Sequence, residues 1–257
     1  MSSTATRSDP ALRRLALRSL MRADAVVLLR NTGALVATFL LPILILVTTD
    51  RSKVASVMGG PALLVGLAIT LGLLAANLLG YALAIGRDRE SGVLQRLRVT
   101  PAPTWMIMAS RLGVQTMANV VATIVVISIG SIIHNLGLSA IEYVLVVLVS
   151  IIGGAVFLAL GQALVALLKS VTAINAVGRI LFTLLLLLGL LGASGVLGDT
   201  IDAIAQWTPV GCVLPLFAAV MNLSAWTSQT TFSLLGCLGY IVVFSFIGIR
   251  WFRWETR

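Results

Sequence analysis

Six stretches of this chain are long and apolar enough to cross a lipid bilayer, at approximately 32–49, 61–86, 105–133, 141–168, 176–198 and 230–250. A hydrocarbon core about 30 Å thick takes about 20 helical residues to span. Lipid offers no replacement for a lost backbone hydrogen bond, so each crossing is either a helix or a strand of a closed barrel. The two-residue alternation of barrel strands is missing, which leaves an all-α integral membrane fold with six transmembrane helices. Composition agrees: 59% of the 257 residues are hydrophobic and 11% charged, too few charges to cover a soluble domain. One more apolar run, Val210 to Met221, contains Pro215 and is too short to cross. It is expected as a short re-entrant or interfacial segment between helices five and six.

The net charge of +9 rests on 16 Arg and 2 Lys, confined to short segments between the apolar runs. That confinement points to membrane orientation, and nucleic acid is not an expected partner. With the N-terminus in the cytoplasm, all the basic residues except Arg51 and Lys53 fall on the cytoplasmic side. Asp50, Glu142, Asp199 and Asp202 lie outside with those two, so the positive-inside bias sets both termini in the cytoplasm.

The first 30 residues carry six Arg with no apolar core or cleavage site, and no secretory signal is expected. Residues 9–30 read instead as an amphipathic helix. Asp9 can cap it, Pro10 suits its first position, and Arg14, Arg18 and Arg22 form one stripe. Leu12, Leu15, Ala16, Leu20, Ala23 and Val27 fall on the other face, so the helix is expected in the plane of the membrane surface. The expected organisation is a cytoplasmic N-terminus at 1–31, a six-helix transmembrane domain at 32–250 and a cytoplasmic tail at 251–257.

Uphill transport needs ATP hydrolysis or an ion gradient. A GxxxxGK[ST] loop would announce the first, but neither Lys53 nor Lys169 follows a glycine. Proton coupling usually leaves acids or histidine within the membrane, whereas the nine carboxylates here fall in loops or near helix ends. The same scatter argues against an enzyme, which needs acids, bases or metal ligands that converge. The single histidine, His134, excludes a His-rich metal site, and Cys212 and Cys237 have no metal-binding spacing. His134 and Glu142 are expected beside a short outer loop. Trp105, Trp226, Trp251 and Trp254 sit at proposed membrane boundaries as anchors.

The loop between helices two and three reads Gly86-Arg87-Asp88-Arg89-Glu90-Ser91-Gly92-Val93-Leu94-Gln95-Arg96-Leu97-Arg98-Val99-Thr100-Pro101. Asp88 and Glu90 suit the first turn of a short helix, Arg96 and Arg98 its last, and Pro101 stops it. A helix at about 88–99 then presents Val93, Leu94 and Leu97 on one small apolar face, too short to stand alone in water and suited to a docking partner.

This loop resembles the (E/D)-R-E-x-G-x-L-x-x-L-x-x-T-P segment of ABC-2 type transporter permeases, the membrane subunits of drug, polysaccharide and lipid exporters. The resemblance covers nearly the whole chain and includes Ser194-Gly195 and Trp207-Thr208-Pro209, which match the family's outer signals. It departs where the family often has prolines, since 196–206 contains none. The resemblance implies a multi-pass subunit of the bacterial inner membrane that exports an amphipathic, drug-like or lipid-linked solute. It implies no cofactor in this chain, with ATP and Mg bound by a partner ATPase, and a second permease copy or homologous permease alongside. Asp88, Arg89, Glu90, Gly92, Leu94, Leu97, Thr100 and Pro101 would then couple to the ATPase. The rival is a secondary transporter or channel driven by an ion gradient.

Polar residues within the spans are candidates for the solute pathway or for interhelical hydrogen bonds. Arg111, Gln115 and Asn119 share one face of helix three, with Arg111 near enough to the cytoplasm to snorkel. Asn175, Arg179 and Thr183 share a face of helix five, and Asn77 and Tyr81 a face of helix two. Ser194 joins Asn77, Arg111, Gln115, Asn175 and Arg179 as a possible pathway residue. Small residues, Ser150, Gly154 and Gly161 on helix four and Gly189, Gly192, Gly195 and Gly198 on helix five, suit close helix packing. Pro42 is expected to bend helix one.

Overall fold

A computed structural model describes residues 10–48, 60–93, 96, 103–194 and 199–251. Every regular element among them is helical. The first, α1, spans Pro10–Arg30. A continuous run of Thr32–Leu35, Val36–Leu40 and Leu41–Thr48 follows as α2. Then come α3 (Pro61–Glu90), α4 (Thr104–His134), α5 (Ala140–Leu167) and α6 (Val171–Ser194). The short α7 (Asp199–Ala205) and α8 (Pro209–Val220) precede α9 (Ser228–Trp251).

Five helices, α3, α4, α5, α6 and α9, are long and apolar enough to cross a membrane. The first expected span differs. Within the described residues its strongly apolar part, Thr38–Thr48, is short, and position 49 lies outside them. Pro42 has no N–H to give, and the backbone just before it takes a wider, π-helical register, with the Leu41 N–H donating to Val36 O. Its ring packs against Gly72 of α3, where a Cβ would lie 2.5 Å from Pro42 Cγ.

α3 is the central helix, enclosed along most of its length, and α5, α8 and α2 pack around it. Phe157 of α5 and Phe217 of α8 are fully buried in the core that α3 shares, with Phe217 against Gly66 of α3. The apolar segment at 209–220 is thus an interior helix, wedged between α3 and α9. Thr208 caps it by accepting from the Gly211 N–H at 3.0 Å, and Pro209 occupies its first turn. α4, α6 and α9 leave most of their surface outward, with Ile132, Ile180 and Ile249 exposed.

The small residues are packing sites. α3 takes a π-helical register over Ala75–Tyr81, with the Ala82 N–H donating to Asn77 O. That carbonyl bulges toward α5, where a Cβ on Gly161 would come within 2.8 Å of it. Gly189 and Gly192 of α6 meet Val210 and Ala205 in the same way. Because the neighbour of Gly161 is backbone, Gly161→Ala forces α3 and α5 apart at an expected cost of about 2 kcal/mol. A thermal melt of the detergent-solubilised chain reads this, against Gly239→Ala, whose Cβ would meet nothing within 4 Å.

α4 ends at His134, the chain turns through Asn135 at φ 52°, and α5 restarts with Ser139 and Glu142 capping each other.

Candidate functional site

The charged triplet Asp88-Arg89-Glu90 closes α3. Sequence reasoning starts a new helix at Asp88, but the central helix runs through the triplet and ends at a turn on Ser91 and Gly92, where Gly92 has φ 72°. Two acids at a helix C-terminus oppose the macrodipole. What holds them there is a set of partners on three different helices.

Consecutive helical residues point about 100° apart, so three in a row sweep more than half the circumference of a central helix. Asp88 Oδ2 accepts from Arg111 Nη1 of α4 at 2.5 Å. Arg89 is buried and turns the other way, donating from Nη1 to Val165 O at 2.9 Å and from Nη2 to Leu168 O at 2.6 Å and Lys169 O at 2.8 Å. Val165 lies in the last turn of α5, and Leu168 and Lys169 are the C-cap and the residue after it, so the guanidinium caps the helix end and complements its dipole. Glu90 Oε1 accepts from the Val171 N–H at 2.6 Å, the first residue of α6. With Ser170 Oγ accepting from Ala173 N at 3.1 Å, this supplies two acceptors to the orphan N–H groups of α6. That capping accounts for α6 starting at Val171 and not near 176. Gly86, one turn earlier, lets α6 close in: a Cβ there would lie 2.8 Å from Ile174 Cδ1.

The Asp88 side continues into a polar cluster that sequence reasoning missed in one respect. Asp24 of α1 accepts from Ser110 Oγ at 2.5 Å and lies 3.9 Å from Arg111 Nε. Two carboxylates therefore share one guanidinium. α1 packs on α4 around Leu17, Met21 and Asp24, while Leu15, Ala23 and Val27, on the face expected toward the membrane, are exposed. Burial pushes the Asp24 carboxyl above the usual aspartate range, against the Ser110 hydrogen bond and the Arg111 charge, and Asp88 adds a smaller push. The Arg111 side chain is 11% exposed and held by the two acids. A cavity of about 230 Å³ opens beside them, lined by Asn31, Tyr81, Gln115 and the three charged groups.

Gln115 of α4 donates to Asn119 Oδ1 at 3.2 Å, and Asn119 Nδ2 donates to Asn77 Oδ1 at 3.2 Å. Asn77 in turn donates to Leu73 O at 2.7 Å, within its own helix. Of the pathway candidates, Asn77, Arg111 and Gln115 are thus brought to one α3–α4 seam. Asn175 and Arg179 are not: they lie on α6, Asn175 half-buried and Arg179 exposed on its outer surface. Ser194 ends α6. Leu94, Leu97, Thr100 and Pro101 fall outside the described residues.

The sequence model of the ABC-2 type transporter family matches residues 15–221, from α1 through α8. The chain belongs to that family. Membership and the five long apolar helices make this ABC-2 chain a multi-pass membrane protein. It is also similar to the "Putative transport permease YvfS" of Bacillus subtilis (strain 168), with 26% identity over 135 residues. That match covers 52% of this chain and 55% of the relative, so it spans about half the length of each.

Proposed function

We propose that this chain is the permease subunit of an ATP-driven exporter in a bacterial inner membrane, moving an amphipathic, drug-like or lipid-linked solute outward. A separate ATPase binds ATP and Mg and does the hydrolysis; this subunit does no bond chemistry. α2 is the sixth crossing, and the arginine-rich end faces the cytoplasm, where α1 lies along the membrane surface.

One observation carries this proposal: three consecutive residues before the coupling segment grip three different spans. Asp88 holds α4, Arg89 holds the end of α5 and Glu90 holds the start of α6. A force applied by the ATPase to the residues after Gly92 is thereby delivered to the bundle at one point and spread across it. Exposed Arg179 supports a second permease copy or a homologue opposite α6, since a guanidinium facing hydrocarbon is costly unless it reaches the interface or a partner.

Glu90→Ala tests the linkage. Its bond to Val171 is solvent-exposed, so the chain should melt within about 2 °C of the parent and still recover its ATPase. Solute export per ATP hydrolysed in proteoliposomes of the complex should fall several-fold. Unchanged export would remove the linkage. Gradient-driven accumulation by this chain alone would instead establish the secondary-transporter alternative.

A further inference from the structure

α1 and α4 do not close on each other along their whole length. Next to the Asp24 contact they leave a groove of about 620 Å³, lined by Arg14, Arg18 and Arg22 and by Met21, Val114 and Met117. The three arginines repeat every four residues, so their guanidiniums form one row. No carboxylate lines the groove, and among the described residues none of the three has an ion-pair partner. Asp24, the one acid of α1 among the described residues, does not line the groove and is engaged by Ser110 and Arg111. The groove also has an apolar exit: Met117, Val121 and Ile124 are exposed along a single face of α4.

Three positive charges at the mouth and an apolar track leading away match an amphiphile with an anionic head and long hydrocarbon tails. We infer that this groove binds an acidic glycerophospholipid of the surrounding leaflet, its phosphate on Arg14, Arg18 and Arg22 and one acyl chain along Met117, Val121 and Ile124. This deepens the permease reading, on which it rests for the position of α1 at the membrane surface. Such a lipid would offset part of the charge of the arginine row and lie between α1 and α4. It would thereby steady the helix that presents Asp24 to Arg111. Phosphate bound by guanidinium is charge-assisted and geometrically specific, and each arginine near an anionic surface is worth roughly fivefold in affinity.

The test uses the full chain in detergent micelles, titrated with dioleoylphosphatidylglycerol or dioleoylphosphatidylcholine and read by native mass spectrometry for retained lipid. The parent should retain phosphatidylglycerol in about tenfold preference. R14Q/R18Q/R22Q should abolish the preference, and R30Q/R96Q/R250Q, with the same loss of charge elsewhere, should keep it. Equal loss in both triples would reduce the effect to diffuse charge and overturn the site. M117W keeps every charge but fills the groove, and should lower retention about fivefold; unchanged retention in M117W would overturn the groove even if the arginine triple does not fold. Lipid retention is measured without the ATPase, so its failure leaves the coupling role of Glu90 standing, and failure of that role leaves the lipid result standing.

Discussion

Exchanging Arg89 for methionine is expected to cost the solubilised chain about 4 kcal/mol, a fall in melting temperature on the order of 10 °C. The figure follows from what the guanidinium touches. Three backbone carbonyls at the end of α5 accept from it, and its side chain is 3% exposed. With methionine the volume is nearly kept, but Val165 O, Leu168 O and Lys169 O lose their donor in a place where water enters poorly, at about 1–3 kcal/mol for each carbonyl left unsatisfied. Lysine should restore only part of the loss, because one ammonium on a flexible stem cannot reproduce a fork that reaches three acceptors. A different outcome separates the two roles this residue can have. If Arg89→Met melts like the parent but no longer recovers the ATPase, the arginine serves the partner and not the cap.

The family resemblance and the capping geometry meet at the same residues for reasons that were only half visible in the sequence. The long helices were legible because apolar runs of that length have one stable form in lipid, and five of them appear where the runs are. The partners of Arg89 were not legible. They are backbone carbonyls 76 to 80 residues away, and a carbonyl leaves no mark in a sequence. Charge complementarity along the helix therefore suggested a fresh start at Asp88, when tertiary acceptors hold the triplet at the end of α3. Asp24 was hidden in another way. Among the five arginines of α1 a lone acid reads as surface charge, and only its bonds to Ser110 and Arg111 show that it faces α4. Proline in an apolar run was legible as a disturbance, and Pro42 does follow a π-helical turn. The exposed position of Arg179 was invisible, since four-residue spacing puts side chains on a common face without saying what that face meets.

The cluster of Asp24, Arg111 and Asp88 yields the second large effect, and its sign depends on which member is removed. Arg111→Gln leaves two carboxylates facing each other beside a small cavity with no cation between them, at an expected cost of about 3 kcal/mol. Asp24→Asn acts in the opposite direction. The carboxyl of Asp24 is held above its ordinary value of 3.8, chiefly by burial, so the folded chain binds that proton more tightly than the unfolded chain does. Such a group contributes stability in full below 3.8, and loses it as the pH rises through the higher folded value. Asparagine keeps an oxygen for Ser110 and carries no charge at any pH, which removes the loss. Melting curves between pH 4 and 7.5 should therefore show the parent falling relative to Asp24→Asn as the pH rises, with the asparagine variant the more stable at neutrality. Combining Asp24→Asn with Arg111→Gln should recover more than Asp24→Asn gains in the parent, since one of the two carboxylates that face each other without a cation is then gone. Purely additive effects would mean that the guanidinium does not hold α1 to α4 through Asp24. The link from α1 to the charged triplet would then run through Asp88 alone.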